Sequence, residues 1–151
     1  AGNPTNIYYS KAASPVGFPT YFNFNPSRAV SGGTAPTYTY HDRNIFWMNG
    51  RTVHGQIIWR NLSGGTAGNG TNPLTFTPPV TMSSTNYDSS FAVFGNGSCY
   101  EVDGTRVGVF VRFVSSSTMG FTNNASGVAD ITGNDQSSDG RHLNANFAYV
   151  V

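Results

Sequence analysis

Between Ile45 and Arg60 the chain reads IFWMNGRTVHGQIIWR, two runs of β-forming residues on either side of Asn49-Gly50. An Asn-Gly pair so placed is the strongest short-range hairpin signal, because a type I′ turn needs positive φ at both central residues. Beyond the turn, Val53, Gly55, Ile57 and Trp59 fall on one face of a strand; Thr52, His54, Gln56, Ile58 and Arg60 fall on the other. A period of two cannot be reconciled with a helix, so the first face is assigned to a core and the second mostly to water. Both tryptophans, Trp47 and Trp59, lie here, which gives the hairpin a large share of the apolar burial.

The same alternation recurs downstream. Val107, Val109, Val111 and Phe113 share a face in the run Thr105 to Val114, which follows Cys99 to Val102 and a turn at Asp103-Gly104. Leu143, Ala145, Phe147, Tyr149 and Val151 share a face in the last run, with Asn144 and Asn146 opposite. Shorter strands are expected at Leu74 to Phe76, stopped by Pro78-Pro79, and at Phe91 to Phe94; Phe121 and the Val128 to Thr132 segment complete the set. No stretch carries an apolar period of 3.6 over three turns. About eight to ten short strands with frequent turn signals make this an all-β chain, expected to be an antiparallel β-sandwich of jelly-roll type with little or no helix.

Residues 1–35 read differently: Tyr8, Tyr9, Phe18, Tyr21, Phe22 and Phe24 are interleaved with Pro4, Pro15, Pro19 and Pro26. Proline excludes a helix and disfavours central strands, while the aromatics argue for order. The segment is expected to be an extended arm that packs on the domain or on a neighbouring subunit, adding at most an edge strand at Tyr21 to Phe24. Residues 36–151 form the domain proper. The run from Ser63 to Asn72, with four glycines, has no apolar residue larger than alanine and is expected to be a flexible hairpin connection.

Composition narrows the function classes. Charged residues are 10% of the 151, against about 25% in an average soluble domain, so solubility rests on Asn, Ser, Thr and Gly. Such surfaces suit lectins, extracellular domains and virion proteins. Seven acids against eight bases leave a net charge of +1, scattered along the chain, which argues against a nucleic-acid partner. No run of roughly 18 apolar residues suggests membrane insertion, and the N-terminus has the look of an excised mature domain. Cys99 is the sole cysteine, so no intrachain disulfide forms, and assembly in a reducing cytoplasm is the natural expectation.

Chemistry-bearing motifs are sparse. His41, His54 and His142 lack metal-ligand spacing, and the Gly-rich run lacks the features of a phosphate-binding loop. The acids sit beside turns or in loops, where Asx hydrogen bonding accounts for them, so neither catalytic residues, a metal nor a cofactor is assigned and the chain is read as a non-enzyme. Sequons at Asn61, Asn69, Asn96 and Asn124 are read as compositional. What remains is recognition by polar loops. Carbohydrate sites combine an aromatic ring with a few Asn, Asp or Arg groups. The ligand-binding candidates are therefore Tyr87 with Asp88, Arg141 with His142, and Asn69 of the Gly-rich loop.

Taken in order, Pro36-Thr-Tyr-Thr-Tyr-His-Asp-Arg-Asn-Ile-Phe-Trp-Met-Asn-Gly-Arg-Thr-Val-His-Gly-Gln-Ile-Ile58, the Gly-Gly-Thr loop and Pro73-Leu-Thr-Phe-Thr-Pro-Pro79 resemble a recurrent module of tailed-bacteriophage tail fibres and tailspikes. Such a module often ends in an aromatic-x-Val strand, as Phe147-Ala-Tyr-Val-Val151 does. The likeness spans residues 36–151. This chain differs in having Pro-Pro where one Pro is usual. The resemblance implies a receptor-binding head, usually a homotrimer, that recognises a host cell-surface polysaccharide during adsorption, on a virion assembled in the bacterial host cytoplasm. The alternatives it leaves are a purely structural trimerisation or capping module and a depolymerase fragment.

Overall fold

A computed structural model describes residues 21–83, 87, 92–100, 104–123 and 129–151 of the chain. The alternating runs become strands, in chain order β1 (Phe22–Asn23), β2 (Arg28–Val30), β3 (His41–Asn49), β4 (Thr52–Arg60), β5 (Leu74–Phe76), β6 (Val93–Tyr100), β7 (Arg106–Ser115), β8 (Thr118–Asn123) and β9 (His142–Val150). All nine belong to one antiparallel sheet of order β1-β3-β4-β9-β6-β7-β8-β5-β2. The described residues hold no α-helix, only a 3-10 turn at Asn134–Gln136, and no helix long and apolar enough to cross a membrane.

The sheet is curled, and its inner face is the core. Val53, Ile57 and Trp59 of β4, Leu74 and Phe76 of β5, Val109 and Val111 of β7, Met119 and Phe121 of β8, and Leu143 and Phe147 of β9 are all buried. Strands far apart in the sheet meet through them. Trp59 contacts Phe76 and Phe121 edge-on at 5.7 and 5.9 Å, and Phe76 stacks on Phe121 at 5.1 Å. The predicted inner face of β4 is thus observed residue for residue. Gly55 belongs to it because the Phe147 ring lies 2.2 Å from where a Cβ would be.

Side chains also bring the two ends of the sheet together. Arg28 of β2 pairs with Asp42 of β3, and its guanidinium lies 4.4 Å from the Trp59 ring centre. Tyr38 stacks on the same indole at 5.5 Å, and the indole Nε1 donates to Asn44 Oδ1 at 2.6 Å. Burial drives the Tyr38 hydroxyl well above the ordinary tyrosine range, so it stays a neutral donor to Gln136 Oε1.

Four expectations need correction. The first hairpin turns one residue later than an Asn-Gly centre requires: Asn49 pairs with Thr52, leaving Gly50 and Arg51 at the tip. Gly50 alone has positive φ, at +58°, as at the first central position of a type II′ turn. Second, the separate strands expected at Phe91 to Phe94 and Cys99 to Val102 are joined, since β6 runs through Gly95-Asn-Gly97; Phe91 lies outside the described residues. A Cβ at Gly95 or Gly97 would sit 1.8 Å from a carbonyl oxygen of β9, so these glycines let two strands approach. Third, the segment before residue 36 contributes two short strands: β1, within Tyr21 to Phe24, pairs with β3 at one edge, and β2 pairs with β5 at the opposite edge. Residues 1–20 lie outside the described part.

The Gly-rich loop is the fourth correction. It connects β4 to β5, which are not neighbours, and is sewn down by other segments. Gly68 N–H donates to Gln136 O, Gly70 N–H to Asn134 Oδ1, and Thr34 and Asn69 exchange backbone hydrogen bonds. Positive φ at Gly64, Gly65 and Gly70 serves the path rather than mobility.

Because Trp59 joins four elements, Trp59→Ala is expected to cost about 3–5 kcal/mol, as large-to-small changes in packed cores do. Urea unfolding checks this, through a lowered midpoint at an unchanged slope.

Candidate functional site

The loop candidates are committed to the fold. Tyr87 packs edge-on against Phe94 at 4.7 Å, and its hydroxyl accepts the Val150 N–H at 2.7 Å. Asp88 lies outside the described residues. Asn69 is exposed, but its Oδ1 accepts the Thr34 N–H at 3.0 Å and so fastens the Gly-rich loop.

Arg141 is fully buried rather than displayed on a loop. Its guanidinium donates to the carbonyls of Thr37, Gly64, Thr66 and Ser138 at 2.7 to 3.3 Å. Five donors in a rigid fork are what a convergence of four carbonyls from three loops requires. Asn61, the first sequon, is likewise buried and bonded to Thr39, Gly64 and Asp139, which leaves no room for a glycan.

His142 follows Arg141 directly and, by strand alternation, emerges on the opposite face of the sheet. Two adjacent candidates are thereby separated, but His142 is joined to new neighbours. The register places His41 opposite Arg60, Arg60 opposite His142, His142 opposite Tyr100, and Tyr100 opposite Arg106. Five strands, β3, β4, β9, β6 and β7, thus each contribute one cationic or aromatic side chain to a single row. His142 stacks on Tyr100 at 5.4 Å; the Arg60 guanidinium lies 5.3 Å from the Tyr40 ring, and Tyr40 contacts His41 at 4.3 Å.

Beyond this row the outer face becomes polar and then aromatic. Arg43, Ile58, Asn144 and Ser98 form the second row. Asn144 keeps its Oδ1 shielded, with no hydrogen-bond partner among the described residues. The third holds Ile45, Gln56, Asn146, Asn96 and Phe110, with Gln56 Nε2 donating to Asn146 Oδ1 at 3.0 Å. In the fourth, Trp47 and His54 stack in nearly parallel planes, 5.2 Å apart. None of these side chains is buried, so across five strands the outer face carries no second layer among the described residues.

Among the described residues the electrostatics of the face are one-sided. All three histidines of the chain are on it, with three of its seven arginines, Arg43, Arg60 and Arg106. No carboxylate of the described residues forms a salt bridge with these three arginines. Asp42 pairs with Arg28 and Asp130 with Arg112, while Asp135 accepts from Thr132 within a turn. Asp139, in the loop before β9, is exposed and 3.9 Å from Arg141. Charges scattered in sequence are therefore gathered in space. Burial, followed by Arg106 and Arg60, holds the His142 imidazole below its ordinary pKa of 6.5. The three histidines do not converge on a metal site, nor does any other group of three His, Cys, Asp or Glu among the described residues.

Sequence reasoning picked out His142 but missed Arg60, Arg106, Tyr100 and His41 as its companions. The alternation placed Arg60 on the water-facing side of its strand. What it lacked was strand order, since β9 lies between β4 and β6 only in the folded sheet. Comparison with protein families, characterised proteins and solved structures finds no match to this chain.

Two outcomes follow for the neighbours Arg141 and His142. Replacing Arg141 by Lys should destabilise the fold by at least about 2–3 kcal/mol, since one ammonium cannot reach four buried carbonyls and some are left unpaired; urea unfolding measures it. For His142, a folded pKa below the unfolded 6.5 means that the unfolded chain binds more protons in the window between the two. Its contribution is complete above 6.5 and is lost as pH falls toward the folded value, so His142→Gln should lose less stability than wild type between pH 7.5 and 5.5.

Proposed function

We propose that this chain is the receptor-binding head of a tailed-bacteriophage tail fibre, a homotrimer of jelly-roll-like β-sandwich subunits that recognises a host cell-surface polysaccharide. The observation that carries the reading is the outer face of β3, β4, β9, β6 and β7, uncovered among the described residues. Its side-chain amides, guanidinium groups and rings are held on paired strands rather than on loops. A sheet fixes such groups at regular spacings, so they engage a long, repetitive ligand without first having to be ordered. Polysaccharides have that form, and amides are both donors and acceptors for their hydroxyls. The resemblance of residues 36–151 to tail-fibre modules supports the same reading, as does a charge composition suited to a virion surface.

The site thus moves from the loops to the sheet. Tyr87, Arg141 and Asn69 serve as scaffold in this reading, and His142 remains. No catalytic residue is invoked; of the described carboxylates, Asp42, Asp130 and Asp135 are tied up in ion pairs or turns away from the face.

Adsorption tests the proposal. The purified domain, labelled and incubated with a panel of bacterial cells and their extracted surface polysaccharides, should bind some of them and compete with phage adsorption. The double variant Trp47→Ala, Asn146→Ala should lose at least about tenfold in affinity, about 1.4 kcal/mol, while keeping its fold. A folded domain that binds neither cells nor polysaccharide would sink the reading, and a monomer in sedimentation would remove the trimer.

A further inference from the structure

We infer that the row His41, Arg60, His142, Tyr100 and Arg106 is a subsite for the negatively charged substituents of an acidic polysaccharide, carboxylate or phosphate. This deepens the glycan-recognition reading and rests on it.

The argument begins with what the fold leaves undone. Arg28 and Arg112 each have a carboxylate, and Arg141 has four carbonyls. Arg60 and Arg106 have neither among the described residues, and both are exposed. They stand in one line, three strands apart, with His142 and Tyr100 between them, and both arginines oppose protonation of the imidazole. An anion laid along the row would remove that opposition.

Geometry limits the anion. Four inter-strand steps of about 4.8 Å give the row a length of about 19 Å. A single small anion meets only one or two of its groups, whereas an extended polymer with charge at intervals meets several. The rings restrain the cations: Tyr40 lies under the Arg60 guanidinium and Tyr100 lies against His142. A guanidinium held against a ring retains its in-plane N–H groups for a carboxylate or phosphate. Tyr40 and Tyr100 each have a ring face already in use, which disfavours the base stacking on which single-stranded nucleic acid depends. The second row supplies Arg43 and the Ser98 hydroxyl, and the third an amide strip for uncharged hydroxyls. Charge recognition at one end and hydroxyl recognition in the middle fit an acidic glycan better than a neutral one.

The pH response is a separate signature. Among the described residues, the groups around His142 are His41 and Arg60 from β3 and β4, Tyr100 and Arg106 from β6 and β7, and Asp139 from the preceding loop. A bound anion offsets the two arginines that oppose protonation of the imidazole. Binding should therefore raise the His142 titration midpoint and strengthen as pH falls from 7.5 to 5.5.

The test is calorimetry with the full chain. Its ligands are polygalacturonate, its carboxyl-reduced neutral form, a glycerol-phosphate polymer and single-stranded DNA, at 50 and 300 mM NaCl. At least one of the two acidic polymers should bind, at least tenfold more tightly than the neutral one, and the higher salt should weaken it. The relative strengths of the carboxylate and phosphate arms identify the substituent. The double variant Arg60→Ala, Arg106→Ala, shown to be folded by circular dichroism, should lose tenfold or more. NMR should find the His142 midpoint raised by the bound polymer. The inference is overturned if neither acidic polymer binds, if the neutral form binds equally, if DNA binds more tightly than both, or if the double variant binds like wild type. Cell adsorption that survives the double variant would likewise overturn it and leave the head reading standing. Polymer binding without adsorption to any cell would keep the row and discard the head.

Discussion

A nine-stranded sheet with one apolar face has two edges and must bring them together or leave that face in water. In this chain the closure rests on the Trp59 indole. Tyr38 and Arg28 lie against it, Asn44 accepts its N–H, and Phe76 and Phe121 meet it edge-on. Arg28 comes from β2, the last strand at one end, and Asp42, its ion-pair partner, from β3 near the other. The ends meet through a guanidinium, a carboxylate and a set of rings, not through a strand ladder. The pair is only partly buried, with Asp42 open to water, so its net contribution to stability is small. Its value here is specificity: it determines which end meets which.

Once the inner face is closed, the rest of the polar design follows from the need to pair buried backbone groups. Loops between strands that are not neighbours bring unpaired carbonyls into the interior. Arg141 collects four of them, Asn61 and Gln136 several more, and the Tyr149 hydroxyl both donates to Val80 O and accepts from Val80 N–H. Burial raises the Tyr149 hydroxyl above its ordinary range, so it is uncharged and can do both. These side chains are polar for the sake of the loops, and a polar residue in a loop is not on that account a binding residue.

That distinction explains which expectations survive. Strand faces were legible because the period of two is local: Val53, Ile57 and Trp59, or Leu143 and Phe147, declare their side without reference to any partner. Turn details were not, since Asn49-Gly50 permits more than one register and the observed one comes from pairing along nine residues. Gly95 and Gly97 looked like a break because glycine punctuates loops, but their cause is the backbone of β9, some 50 residues away in sequence. Arg141 and Tyr87 resembled surface recognition residues for the same reason. Their partners, Thr37, Thr66 and Val150, are distant in sequence, and no local pattern reveals them.

The outer face illustrates the converse. His41, Arg60, Tyr100, Arg106 and His142 are dispersed over a hundred residues, and a chain with a net charge of +1 gives no hint that its free cations converge. Convergence is a product of strand order. Inserting β9 between β4 and β6 aligns the first residue of one strand with the last residues of its two neighbours, so ends that are separate in sequence become one side of the sheet. Of the described acids, Asp42 and Asp130 are held by arginines that the fold needs for closure and for β7. Among the described residues the charges thus fall into a paired set that holds the structure together and a set without ion pairs on the outer face. Among the described residues the second set has no ion-pair partner, and its position on one row is what makes that row the place to look for a ligand.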